Sequence, residues 1–126
     1  MENGNFGKEV ILDLHNCNVD KFNRKDIEAY FVELCQMIDM VREDLFWWDM
    51  EENTEEEIAD MEDHLVGTSA VQFIRTSNIT IHTIDRMKRV YLNIFSCKDF
   101  DAEIAKNFSH KIFGGDIINF HVIDRI

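Results

Sequence analysis

Proline is absent from the 126 residues and glycine occurs only five times, so turns must rely on Gly, Asn and Asp, and no proline marks a domain boundary. Cysteine is scarce as well. Cys17, Cys35 and Cys97 are odd in number, far apart and without CxxC or CxxxH spacing, which argues against a disulfide framework or a structural metal and for free thiols in a reducing compartment. Basic residues number 13 against 25 acidic ones, and the formal charge of −12 repels a phosphate backbone, so no nucleic-acid partner is expected. No apolar run is long enough to span a bilayer, and Met1-Glu2-Asn3-Gly4 lacks the basic-then-apolar order of a secretory signal. A soluble, cytoplasmic protein away from membranes is the expectation.

What is present is a 45% apolar chain, enough for one domain with a real core over residues 1–126. Val10, Leu12 and Leu14 alternate through residues 9–14 and predict a first strand with one buried face. From Lys25 to Arg42, Ile27, Tyr30, Phe31, Leu34, Ile38 and Val41 recur at helical spacing behind Asn23, a candidate N-cap. Leu45 to Met50 reads as a short aromatic strand, with Trp47-Trp48 suited to core, to a dimer face or to stacking on an adenine. The carboxylate-rich stretch from Glu51 to Asp63 reads as a solvated loop or short helix.

Three strands follow in close succession: Ser69 to Arg75, Ile79 to Ile84, and Arg89 to Cys97. In the third, Val90, Leu92, Ile94 and Ser96 alternate with Tyr91, Asn93, Phe95 and Cys97, which puts Cys97 on the face of Phe95 and Tyr91. Asp99 or Asp101 can cap a second helix to about Ile112, with Ile104, Ala105, Phe108 and Ile112 inward and Gly114-Gly115 ending it. Ile117 to Ile123 completes the pattern as a last strand. This order predicts an α+β fold, a two-layer sandwich with a largely antiparallel sheet and two main helices on one face.

The segment from Gly67 through Ser69, Ser77 and His82 to Thr83, followed by a strand ending Phe95-Ser96-Cys97, resembles the prokaryotic-type S-adenosylmethionine decarboxylases. Their pattern is Gly-x-Ser-Gly, an apolar strand, Glu-Ser-His-(apolar)-(Ser/Thr)-Ile-His-Thr, then a strand ending Phe-(Thr/Ser)-Cys. Ser77, His82 and Cys97 stand at the family's separations of five and fifteen residues, Ser69 matches its upstream serine, and a weaker likeness covers Gly7 to Cys17.

The resemblance implies a proenzyme that cleaves itself between Thr76 and Ser77 into a β chain, 1–76, and an α chain, 77–126. Ser77 attacks the Thr76 carbonyl, the amide becomes an ester, and elimination followed by hydrolysis leaves a pyruvoyl group, so no external cofactor is needed. It further implies that His82 is the base at the serine α-proton, that Ser69 assists processing, and that Cys97 returns a proton to the product. The pyruvoyl carbonyl forms a Schiff base with the substrate amine and serves as electron sink for decarboxylation, which supplies the aminopropyl donor for spermidine. Asp85 and Ile79 are the implied substrate contacts, a homodimer the implied assembly, and no metal is implied.

The chain departs from the pattern at Thr76, where the family has Glu, at Asn78, where it has His, and at Thr83-Ile84-Asp85-Arg86, where it has Thr-Trp-Pro-Glu. The last change removes a ribose-binding glutamate that Asp85 could replace from one residue away. Two alternatives stay open: pyruvoyl chemistry on arginine or ornithine, and an uncleaved, non-catalytic homologue acting as a binding or regulatory subunit.

Overall fold

A computed structural model describes residues 4–126. Six strands form one sheet: β1 (Gly7–His15), β2 (Arg42–Trp48), β3 (Gly67–Ile74), β4 (Ser77–Ile84), β5 (Arg89–Ser96) and β6 (Asp116–Arg125). They lie in the order β2-β3-β4-β5-β1-β6, and every neighbouring pair is antiparallel. The three α-helices are α1 (Arg24–Met37), α2 (Glu55–Ala59) and α3 (Ala102–Phe113). The α+β architecture read from the sequence is the one found. Among the described residues, no helix is long and apolar enough to cross a membrane.

Alternation sorts each inner strand into a core row and an open row. Val10, Leu12 and Leu14 of β1, Ile79 and Ile81 of β4, and Val90, Leu92 and Ile94 of β5 are almost completely buried under α1 and α3. Each such side chain contributes roughly 1.5–3 kcal/mol through burial. Tyr30 of α1 joins the two helices: its ring stacks on Phe108 and meets the edge of Phe113, and its hydroxyl lies 2.6 Å from Ser109 Oγ.

The Asn23 side chain accepts from the Asp26 N–H and starts α1 as expected. The helix stops at Met37 and does not run on to Arg42. Asp39 adopts φ 57°, and the Met40 N–H returns to the Cys35 carbonyl, the bond of a left-handed helix terminus with aspartate where glycine is usual. Val41, expected inward, is therefore exposed and leads into β2.

In α3, capped by Asp101, the buried stripe is Ala105, Phe108, Ser109 and Phe113. Ile104 turns instead toward the outer groove between α1 and α3. The acidic stretch does contain a short helix, α2, closed by reciprocal bonds between Thr54 and Glu57.

Candidate active site

Strand pairing decides which of the singled-out residues meet. Arg75 and Thr76 form a two-residue turn between β3 and β4, closed by the pair Ile74 and Ser77. Counting down both arms, Ser69 of β3 falls opposite His82 of β4, and Ser69 Oγ and His82 Nδ1 share a 2.8 Å hydrogen bond on the open face. Trp48 of β2 pairs with Ser69, and Tyr91 of β5 pairs with His82, so the four stand in one row across the sheet. Trp48 is 78% exposed and, with Phe46, Val71 and Thr80, borders a shallow depression of about 230 Å³ beside the histidine.

The other end of the same strands holds Thr76, Ser77 and Cys97. The Cys97 N–H donates to the Thr76 carbonyl at 3.1 Å, the carbonyl of the bond expected to break. Asn78, on the open face opposite Phe95, places its side-chain amide 3.4 Å from Ser77 Oγ. The Thr76 hydroxyl lies 2.7 Å from Ser96 Oγ and 3.5 Å from Met40 Sδ. The Arg75 N–H donates to the Val41 carbonyl, and Lys98 reaches both the carbonyl and the carboxylate of Asp39, so the connection after α1 braces the turn. Gly7 is required here because a Cβ would collide with the Ser96 carbonyl.

Ser69 and His82 are thus together, and Thr76, Ser77 and Cys97 are together, but the two groups are apart. His82 lies five residues along β4 from Ser77, roughly 16 Å in extended chain, and on the opposite face by alternation.

Asp85, in the β4–β5 turn, borders a separate recess of about 260 Å³ with Arg24, Asp49, Glu51, Gly67 and Thr68. Burial pushes its carboxyl above the ordinary 3.8, and the nearby Arg86 offsets only part of this. Arg86, at the place of the family's glutamate, instead donates to the carbonyls of Ile58 and Met61 and anchors the α2 segment. Arg24 grips Asp49 with two bonds of 2.6 and 3.0 Å, which hold the Asp49 carboxyl below its ordinary pKa. Ile79 is completely buried between the sheet and the helices, so its side chain is occupied by the core. Among the described residues, no group of three or more His, Cys, Asp or Glu side chains could hold a metal ion.

Two features of this end were not read from the sequence. Cys97 was singled out for its thiol, whereas its backbone N–H makes the contact with Thr76, and no side-chain pattern signals that. The sequence marks Ser96 as an inward-facing strand residue and as part of the Phe-(Thr/Ser)-Cys strand end, and neither reading signals that its hydroxyl joins the turn to β5.

The sequence model of S-adenosylmethionine decarboxylase matches residues 8–126. No curated protein sequence matches the chain. A solved structure, the adenosylmethionine decarboxylase from Aquifex aeolicus VF5, superposes with a TM-score of 0.76 at 18% identity, covering 96% of this chain and 91% of that one. The structural match shows the shared fold, and the family match runs from the second residue of β1 through α1, α2 and α3 to the end of β6. The chain belongs to the S-adenosylmethionine decarboxylase family.

Proposed function

We propose that the chain is a self-processing decarboxylase of S-adenosylmethionine that works as a homodimer, supplying the aminopropyl donor for spermidine in the cytoplasm. The observation that carries the processing step is the Cys97 N–H on the Thr76 carbonyl. Attack of Ser77 Oγ on that carbonyl carbon puts negative charge on the oxygen, where the N–H already stands at hydrogen-bond distance. The tetrahedral centre collapses as the C–N bond breaks. The serine proton passes to the nitrogen, and the product is an ester with a free amine. Loss of the Ser77 α-proton then expels the Thr76 carboxylate, and water releases ammonia to leave the pyruvoyl group. That group supplies an electron sink for the substrate carboxylate's departure.

The elimination needs a base, and His82 has the right chemistry. Ser69 Oγ lies 2.8 Å from His82 Nδ1, and in the tautomer that donates Nδ1–H to the serine the Nε2 lone pair is the one available for a proton. It is out of reach of Ser77 in its own chain. A second copy can supply the base: a two-fold axis through the open face lays the Ser69–His82 end of one sheet over the turn end of the other, where Ser77, whose side chain alternates onto the core face, must turn its α-proton toward the partner for the elimination. The open face suits such a partner, since Phe46, Trp48 and Phe73 are exposed there at 58%, 78% and 44%. Phe95, in the same row as Phe73, packs with Phe6 and extends this aromatic surface. Cys97 then returns a proton to the product, and Asp85 is the candidate for a polar contact to the nucleoside.

Intact mass of freshly purified protein tests the reading. Fragments 1–76 and 77–126, with the second about 17 Da lighter than simple hydrolysis gives, support a pyruvoyl enzyme. A single 14.9 kDa chain after long incubation overturns it and leaves an uncleaved homologue.

A further inference from the structure

The turn that bears the scissile bond is held by a device outside the backbone ladder. Neither Arg75 nor Thr76 has the positive φ that favours two-residue hairpin turns. The turn is instead secured from its flanks. Ser96 Oγ is completely buried, accepts from the Lys98 N–H at 3.0 Å and lies 2.7 Å from the Thr76 hydroxyl. Because the Lys98 bond uses one lone pair of Ser96, the two hydroxyl protons are shared between the Ser96–Thr76 contact and Met40 Sδ, which is 3.5 Å from Thr76 and 3.6 Å from Ser96.

We infer that the hydroxyl lock between Thr76 and Ser96 is the positioning device that aims the Thr76 carbonyl at the Cys97 N–H for self-cleavage. This rests on the processing reading above. Thr76 is fixed at two points, its side chain on Ser96, the last residue of β5, and its carbonyl on the residue after it, Cys97. Two anchors on consecutive residues set the rotation of the Thr76–Ser77 peptide plane. With the hydroxyl removed, the Thr76 end of the plane keeps only the Cys97 bond beside the strand pairing of Ser77, and small displacements at a reacting carbonyl cost large factors in rate. Thr76 is also a departure from the family pattern, and its hydroxyl is the group that reaches Ser96. Thr76 and Ser96 are positioning residues: neither gives or takes a proton in the step.

The test follows the first-order appearance of fragments 1–76 and 77–126 in freshly folded protein by intact mass. Thr76→Val and Ser96→Ala should each slow cleavage by tenfold or more, about 1.4 kcal/mol in the barrier. Thr76→Ser, which keeps the hydroxyl, should stay within about twofold of wild type. The double variant Thr76→Val/Ser96→Ala should be no slower than the slower single, because both remove one shared contact. The delay should fall before the ester, so hydroxylamine should trap no accumulated ester in Thr76→Val, and the pH profile of the rate should keep its shape. Near-ultraviolet circular dichroism identifies folded samples, and Thr76→Ser provides the conservative rescue. A folded Thr76→Val that cleaves at the wild-type rate overturns the inference while leaving self-processing intact. A wild-type chain that never cleaves overturns self-processing itself, and the lock then has no reaction to serve.

Discussion

The separation of His82 from Ser77 makes a quantitative forecast for mixed chains. Five residues of extended β4 place the two roughly 16 Å apart, whereas a general base must come within about 3 Å of its proton. The deficit exceeds what rotamer changes can supply, so the proposed mechanism takes its base from another copy. Ser77→Ala should be uncleavable, and His82→Ala should stall as the ester, which hydroxylamine splits. Neither variant alone should yield a pyruvoyl fragment. Refolded together in equal amounts, about half of the dimers should be mixed, and each mixed dimer presents one intact set: Ser77 from the His82→Ala chain and His82 from the Ser77→Ala chain. About half of the His82→Ala chains should therefore complete processing, identified by the mass of the pyruvoyl fragment carrying the alanine. Failure of the mixture to process, with mixed dimers demonstrated by native mass spectrometry, would refute the shared site. Processing of a chain held monomeric by dilution would refute it equally.

Two further outcomes follow from the same geometry. Cys97→Ala should cleave at close to the wild-type rate, because alanine retains the N–H that contacts Thr76, but should lower decarboxylase turnover; loss of cleavage on mass analysis would assign the thiol to processing. Asp49 has a folded pKa below its ordinary 3.8 because of Arg24, so its contribution to stability is present above that value and is lost as pH falls through the folded pKa. The gap in urea midpoint between wild type and Asp49→Asn should close as pH drops from about 6 to about 3, and a gap independent of pH would remove the ion pair as its cause.

Much of the fold was legible because the patterns are local. The alternation of β1, β4 and β5 and the helical stripe from Ile27 to Leu34 each report a buried face directly. The end of α1 was not legible: aspartate at the left-handed terminus gives no glycine signal, so the apolar period carried the expectation on to Val41. The carboxylate-rich stretch left loop and short helix both open, and the capping box of Thr54 and Glu57 is what decides for the helix α2. Strand order was hidden for a different reason. β1 lies between β5 and β6, while β2 goes to the far edge, and these pairings depend on long connections that leave no periodic trace.

The candidate residues were legible as types and spacings, and the structure shows what the spacings accomplish. In an extended strand, an odd separation such as that of Ser77 and His82 places side chains on opposite faces, so it cannot bring them together within one chain. The wider separation of Ser69 and His82 does unite a pair, because the two lie equally far from the turn, five residues before Ile74 and five after Ser77. One turn therefore has two functions: it presents the Thr76–Ser77 bond at its tip and sets the register that joins Ser69 to His82. A slip of one residue would place His82 opposite a different β3 residue and break that bond. The proposed cleavage at Thr76–Ser77 would sever this turn, so a processed chain would need a second restraint on the register. It lies at the other end of the hairpin, where the Thr68 N–H donates to Thr83 Oγ1 and Thr83 Oγ1 donates to the Thr68 carbonyl, each at 3.2 Å and buried. Beside it, Gly67 runs so close to the Thr83 carbonyl that no side chain fits. The Ser69–His82 pair can thus outlast the covalent turn that first aligned it.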